Sequence, residues 1–189
     1  MIDNKQRFWN YYLSLEEDFI KISRYVDFDI KNSKTFSIEF ARIIMTCCQE
    51  IDGLLKLICE RLDPDKPRNN IANYFEILKV SLNELKDFEV DSIKYGLTSK
   101  PFIDLSSAEH KSPDWWLANN KIKHDRINNF EEANLTNAYN AISALYIIVL
   151  FYYKVYDENG QEIYLIKRDL IPESQLFIEQ ISGIGTFSE

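Results

Sequence analysis

LTNAYNAISALYIIVLFYY, residues 135–153, decides the architecture. Leu135, Ala138, Tyr139, Ile142, Leu145, Tyr146, Val149 and Tyr153 recur at steps of three and four, the spacing that stacks side chains on one face of an α-helix. From Ile147 to Tyr153 the stretch is apolar nearly all round, so it reads as a helix enclosed by others. The run from Ala141 to Tyr153 contains Ser143 and several tyrosines, and it falls short of the ~20 apolar residues a membrane helix needs. A buried core helix is expected, with no membrane association. Glu131 and Glu132 suit its first turn, where acidic groups face the positive end of the helix dipole.

Upstream, three more amphipathic patterns supply helices to surround it. Residues 5–26 place Phe8, Tyr12, Leu15, Phe19, Ile22 and Val26 on one face. After the break DFDIKNSK, Thr35 or Ser37 can cap a second helix striped by Phe40, Ile44, Cys47, Ile51, Leu54, Ile58 and Leu62, which Asp63-Pro64 ends. Ile71, Phe75, Leu78, Leu82 and Leu85 mark a shorter third helix. Residues 86–111 lose this periodicity and read as a long loop with one short strand, a kind of segment that is often functional. Ser112-Pro113-Asp114 then has a capping hydroxyl, a proline and an acid in helix-start order, predicting a short fourth helix to about Arg126. The expected fold class is therefore all-α, a bundle of about five helices over residues 1–156.

Residues 157–189 differ in character. They hold 7 acidic against 2 basic side chains, a net of −5, whereas the first 156 residues are nearly neutral at 20 basic against 23 acidic. Asn159-Gly160 is a hairpin-type turn, and EIYLIK (162–167) with QLFIE (175–179) can pair as strands, so a small C-terminal β appendage is predicted. The whole chain of 189 residues is 46% hydrophobic and carries a formal charge of −8. That composition supports a sizeable core and excludes disorder, and it excludes coating of nucleic acid or membrane by a generally basic surface. Cys47, Cys48 and Cys59 lie inside one helical pattern rather than at disulfide or CxxC spacing, which fits a reduced, cytoplasmic protein. The N-terminal MIDNKQRFWNYYLSLEED is amphipathic and acidic without a continuous apolar stretch, so no secretory signal is expected.

Motifs for nucleotide folds and common hydrolases are missing: there is no GxGxxG, GxxxxGK[ST], GxSxG or HExxH. No cofactor is expected. A metal site would have to combine His110, His124 and scattered carboxylates at no recognised spacing, so no metal is expected either. The densest polar cluster is Trp115-Trp116-Leu117-Ala118-Asn119-Asn120-Lys121-Ile122-Lys123-His124-Asp125-Arg126. On a helix Asn120 and His124 lie one turn apart with Lys121 nearby, while Trp115, Ala118 and Ile122 face the other way. Residues 111–126 carry Lys111, Lys121, Lys123 and Arg126 against Asp114 and Asp125, a local net of +2 in an acidic chain. Imidazole, cations and amides together suit RNA cleavage without metal, supplying a base for the 2′-hydroxyl or an acid for the leaving oxygen, and donors for the charged phosphorane.

Asn119-Asn120-Lys121-Ile122-Lys123-His124, just ahead of the main apolar helix, resembles the motif of the HEPN superfamily, in which Arg, often followed by Asn, precedes His by a short polar spacer. The resemblance implies an α-helical bundle and, in active members, a metal-independent endoribonuclease that homodimerises to bring two motifs together, often within toxin–antitoxin or anti-phage systems. It implies His124 as the catalytic imidazole and Asn120 as its Asn, with Asn119 standing where the family has Arg. Lys121, Lys123 or Arg126 then supplies the missing cation for RNA phosphate, or the protein is a non-cleaving relative that binds RNA, a cognate antitoxin or another protein. The family's Tyr two residues after the His is replaced by Arg126.

Plainer readings apply to the same residues. His124 near a helix end can satisfy terminal carbonyls, and Lys121, Lys123 and Arg126 can form a solvated face. Trp115 and Trp116 point to different sides of their helix, so one belongs to the core and Trp116 can line a cleft or dimer surface. On the second helix, Glu50 or Asp52 would orient His124 as a supporting carboxylate if it faced that helix; otherwise Asp52 and Lys56 form an exposed i,i+4 ion pair. A non-catalytic helical interaction module, or a small-molecule pocket lined by Tyr and Trp, remain the alternatives.

Overall fold

The computed structural model describes residues 6–107, 111–157 and 163–177. Six helices are present among them: α1 (Arg7–Ile22), α2 (Ile38–Leu62), α3 (Ile71–Ser81), α4 (Asp114–Asp125), α5 (Leu135–Tyr156) and α6 (Ile163–Asp169), with one small sheet of β1 (Val90–Ser92) and β2 (Leu97–Ser99). The fold is an all-α bundle carrying a small β element.

α5 is the central helix, buried continuously from Ala141 to Phe151, and it packs against α1, α2, α4 and α6. By length and composition α5 could cross a membrane, yet 83% of its most apolar window is buried inside the bundle. Its most extensive contact is with α2, whose Phe40, Ile43, Ile44, Cys47, Ile51, Leu54 and Ile58 are closed off from solvent. The N-termini of these two helices are tied together. The Ser37 hydroxyl accepts from Phe40 N at 3.1 Å and caps α2. Asn134 Oδ1 accepts from Asn137 N at 3.0 Å and caps α5. Between the caps, Ser37 N donates to Ala133 O and Leu135 N donates to Thr35 O. α5 thus starts a few residues after the Glu131-Glu132 pair, because Phe130–Glu132 forms a 3₁₀ turn ahead of the Asn134 cap.

The loop of residues 86–111 holds two strands where one was expected. β1 and β2 pair antiparallel, Val90 opposite Ser99, around a turn in which Gly96 takes the left-handed φ of 62°. The hairpin is anchored to α5 by Tyr139 Oη donating to Leu97 O at 2.8 Å and Ser99 Oγ donating to Asn140 Oδ1 at 2.8 Å. α4 begins with Pro113 at its N-cap rather than Ser112, and the Pro113 carbonyl accepts from Trp116 N and Leu117 N.

The C-terminal segment departs from the strand expectation. The described part of EIYLIK does not enter a sheet; residues 163–169 form α6, which buries Ile163 and Ile166, and Leu170 just beyond its end is buried at the same spacing. A short apolar run of this kind fits strand or helix equally by sequence, and packing against α5 favours the form that aligns those three side chains. Residues beyond 177 in QLFIE lie outside the described residues. The chain before them folds back onto the bundle: Trp9 Nε1 donates to Pro172 O at 2.9 Å, and Phe177 packs beside Tyr139 and Tyr146. Residues 163–177 therefore share the main core.

Candidate functional site

α4 is amphipathic in the expected sense. Trp115, Ala118 and Ile122 are buried, and His124 lies on the opposite, exposed side. Trp115 is locked in the core by donating Nε1–H to Pro101 O at 2.9 Å. Trp116 meets it edge to face, with ring centroids 5.8 Å apart, and turns its own ring toward α2.

Between α4 and α2 runs an open groove of about 730 Å³. Trp116, Asn119, Asn120, Lys123 and Arg126 form one wall; they follow one another at steps of three, one, three and three, which keeps them on a single side of the helix. From α2 come Ile38, Ala41, Met45 and Cys48 as an apolar floor, and Arg42, Thr46, Gln49 and Asp52 as polar groups. Ile38 and Arg126 continue into a smaller depression with Ile127 and Phe130.

The charges in the groove differ in how they are held. Arg42 Nε donates to Glu39 Oε2 at 2.8 Å and Nη1 donates to Asp18 Oδ2 at 2.9 Å. Asp52 is engaged on both oxygens, by Lys56 and by the Tyr74 hydroxyl at 2.7 Å. Asp52 and burial together push the Tyr74 phenol up from its ordinary pKa, burial being the larger cause. Lys123 and Arg126 have no carboxylate partner, and Asn119 and Asn120 have no side-chain hydrogen bond, among the described residues. The groove accordingly presents two uncompensated cations and two uncommitted amides, an arrangement suited to an anion with several acceptor oxygens.

Other residues singled out from sequence are placed elsewhere. Lys121 faces away from the groove and is bound to Glu132 of the 3₁₀ turn, a contact that raises its pKa. Lys111 pairs with Asp104 at 2.8 Å. Asp52 and Lys56 form the i,i+4 pair of the plainer reading. Glu50 is turned toward α1: burial raises its carboxyl pKa and the Arg7 charge opposes that shift, while the Tyr11 phenol is raised first by burial and then by the Glu50 charge. Neither carboxylate contacts His124. His124 itself sits in the last turn of α4, exposed, outside the groove lining and without a hydrogen bond among the described residues. His110 lies outside the described residues.

Arg42, Thr46 and Gln49 are the polar groove residues that sequence reasoning missed, along with the apolar Ile38, Ala41 and Met45. The polar three recur at i, i+4 and i+7 on the polar side of α2, but that signal is shared by any solvated helix face and says nothing of which helix lies opposite. Among the described residues no group of three or more His, Cys, Asp or Glu side chains stands close enough to hold a metal ion. Comparison with protein families, curated proteins and solved structures finds no match for this chain.

Proposed function

We propose that this chain is an HEPN-like RNA-binding protein that grips a phosphodiester backbone in the groove between α2 and α4. The observation that carries this reading is the pair of uncompensated cations, Lys123 and Arg126, set beside the free amides of Asn119 and Asn120 in one open groove of an otherwise acidic protein. Arg126 and Lys123 are then the groups that take the place of the family's Arg, and Lys121 serves the fold by holding the 3₁₀ turn. A local cationic groove suffices for a few phosphate contacts without a basic surface.

Cleavage is the stronger form of this reading. His124, one turn after Asn120, would take the proton of the 2′-hydroxyl as the O2′–P bond forms and the P–O5′ bond breaks, or return a proton to the leaving O5′. Because His124 stands at the outer edge of α4, the strand would have to pass from the groove over that edge, and a homodimer pairing two α4 helices would complete the site. A toxin–antitoxin or anti-phage role, with a cognate antitoxin as partner, belongs to the same reading.

The test is RNA cleavage and binding by purified protein with EDTA present. His124→Ala is expected to abolish cleavage and leave binding intact. Lys123→Ala and Arg126→Ala should each weaken binding and lower the slope of log affinity against log salt by about 0.7, one single-strand phosphate contact. Lys121→Ala should leave that slope unchanged. Absence of binding by folded wild-type protein across several RNAs would overturn the proposal.

A second reading is favoured by a separate observation. Ile127 is 93% exposed and Ile38 68%, and both adjoin Arg126. Apolar side chains of this size around a cationic groove suit a protein partner, so the alternative is a non-catalytic interaction module. Ile127→Ser, which removes the apolar side chain without adding a charge beside Arg126, is expected to disrupt self-association or partner binding in that case, and to leave RNA affinity largely unchanged.

A further inference from the structure

We propose that Arg42 is a third phosphate-binding cation of the groove, held in reserve by Asp18 and Glu39, and that a polyanion binds fully by exchanging those carboxylates for a phosphate. The inference rests on the groove being a phosphodiester site. Arg42 projects from α2 across from Lys123 and Arg126, so it lines the same groove as the two free cations. Its Nε and Nη1 are engaged, by Glu39 at 2.8 Å and Asp18 at 2.9 Å. In this state its charge is cancelled, and only two cations act on a ligand.

Both pairs are built to exchange. The side chains of Arg42, Asp18 and Glu39 are 44%, 32% and 54% exposed, and ion pairs with that much water around them are weak. Each carboxylate also keeps a favourable environment when Arg42 leaves. Asp18 stays within 3.6 Å of Lys21 Nζ, and Glu39 lies in the first turn of α2, where the helix dipole favours an anion. The guanidinium is planar and bidentate, so a phosphate can replace two carboxylate contacts with two of its own oxygens. The carboxylates thereby act as a threshold: a lone anion competes poorly with them, whereas a strand already anchored on Lys123 and Arg126 presents its next phosphate at high effective concentration.

The experiment measures fluorescence anisotropy of a labelled single-stranded uridine oligonucleotide over a salt series. The proteins are the wild type, Asp18→Asn/Glu39→Gln, and that double variant carrying Arg42→Ala as well. Freeing Arg42 is expected to tighten binding several-fold and to steepen the salt slope by about 0.7, one added phosphate contact. Both gains should vanish when Arg42 is removed. A gain that survives without Arg42 is a general charge effect and overturns the proposal, as does no gain at all. Binding that depends on Lys123 and Arg126 but ignores the Asp18 and Glu39 changes leaves the groove reading standing and removes Arg42 from it. Binding insensitive to Lys123→Ala and Arg126→Ala overturns the groove reading itself. Circular dichroism and the single variant Asp18→Asn separate these outcomes from misfolding.

Discussion

Glu16 is a carboxylate that the acidic surface of the chain does not explain. It lies on α1 with 2% of its surface exposed, and no lysine or arginine among the described residues pairs with it. Its oxygens accept from the Tyr12 hydroxyl at 2.7 Å, from Ser174 Oγ, and from the backbone N–H groups of Gln175 and Leu176 at 3.0 Å each. Four donors replace the water that a buried anion loses, and charge-assisted bonds of this kind are about twice as strong as neutral ones. Through them, α1 holds the C-terminal segment against the core. Glu16→Ala strands the buried N–H of Leu176 and the part-buried N–H of Gln175 and should cost about 3 kcal/mol, and Glu16→Gln, which still accepts hydrogen bonds, roughly half that. Urea denaturation gives the stability change. Hydrogen exchange at Gln175 and Leu176 gives its location, and unchanged protection there would show that the clasp does not hold the segment.

At the scale of elements, what could be read in the sequence follows from how local each signal is. α1, α2 and α5 carry long apolar stripes whose spacing has one structural solution, but α1 ends at Ile22, before Val26, and α3 ends at Ser81, so that Leu82 and Leu85 of the third stripe fall beyond it, Leu85 in the 3₁₀ turn Asn83–Asp87. The Ser37 cap was legible for the same reason, since a hydroxyl precedes a periodic run. Asn134 was not, because the acidic pair just before it also suits a helix start, and only the 3₁₀ turn at Phe130–Glu132 delays the helix. α6 was misread because Ile163 to Ile166 is too short to reveal a period, and contact with α5 decided its form. On α4 the sequence placed Asn120, His124 and Lys121 on one face, whereas the groove takes Asn119, Asn120, Lys123 and Arg126 and leaves His124 and Lys121 outside; its partner wall on α2 was not visible either, since pairing of helices is a long-range fact. The two caps give an expectation at this scale. Asn134 is 4% exposed, and it both accepts from Asn137 N and donates to Glu131 O at 2.9 Å. Asn134→Ala should cost about 1–2 kcal/mol and Ser37→Ala about 1 kcal/mol, read as shifts in the urea midpoint. Equal and negligible effects would mean that the backbone bridge between the caps, not the side chains, fixes these helix starts.

The whole molecule buries an unusual set of weakly acidic side chains, and its stability should depend on alkaline pH accordingly. Burial is the first cause raising the pKa of Tyr12, Tyr74, Tyr139 and Tyr146, with carboxylates such as Glu16 adding to it for Tyr12 and Tyr146. The thiols of Cys47 and Cys48 are raised in the same way, and Cys59 is pushed up to about 12. In the unfolded chain thiols titrate near ~8.5 and phenols near ~10. Above those values the unfolded state has released protons that the folded state still holds, so stability falls as pH rises. The contribution is complete below about pH 8.5, begins to fade there with the thiols, and fades faster above about pH 10 as the phenols join. Each group adds a slope of up to about 1.4 kcal/mol per pH unit within its window. Tyr146 isolates one of them, because its hydroxyl is buried without a hydrogen-bond partner among the described residues. Tyr146→Phe therefore loses no hydrogen bond and should be neutral or stabilising at pH 7. Above pH 10 it should flatten the decline in unfolding free energy by up to about 1.4 kcal/mol per pH unit. Urea unfolding of the two proteins from pH 7 to pH 11 measures both effects. Parallel declines would mean that the core admits water to Tyr146 and titrates it as an exposed phenol.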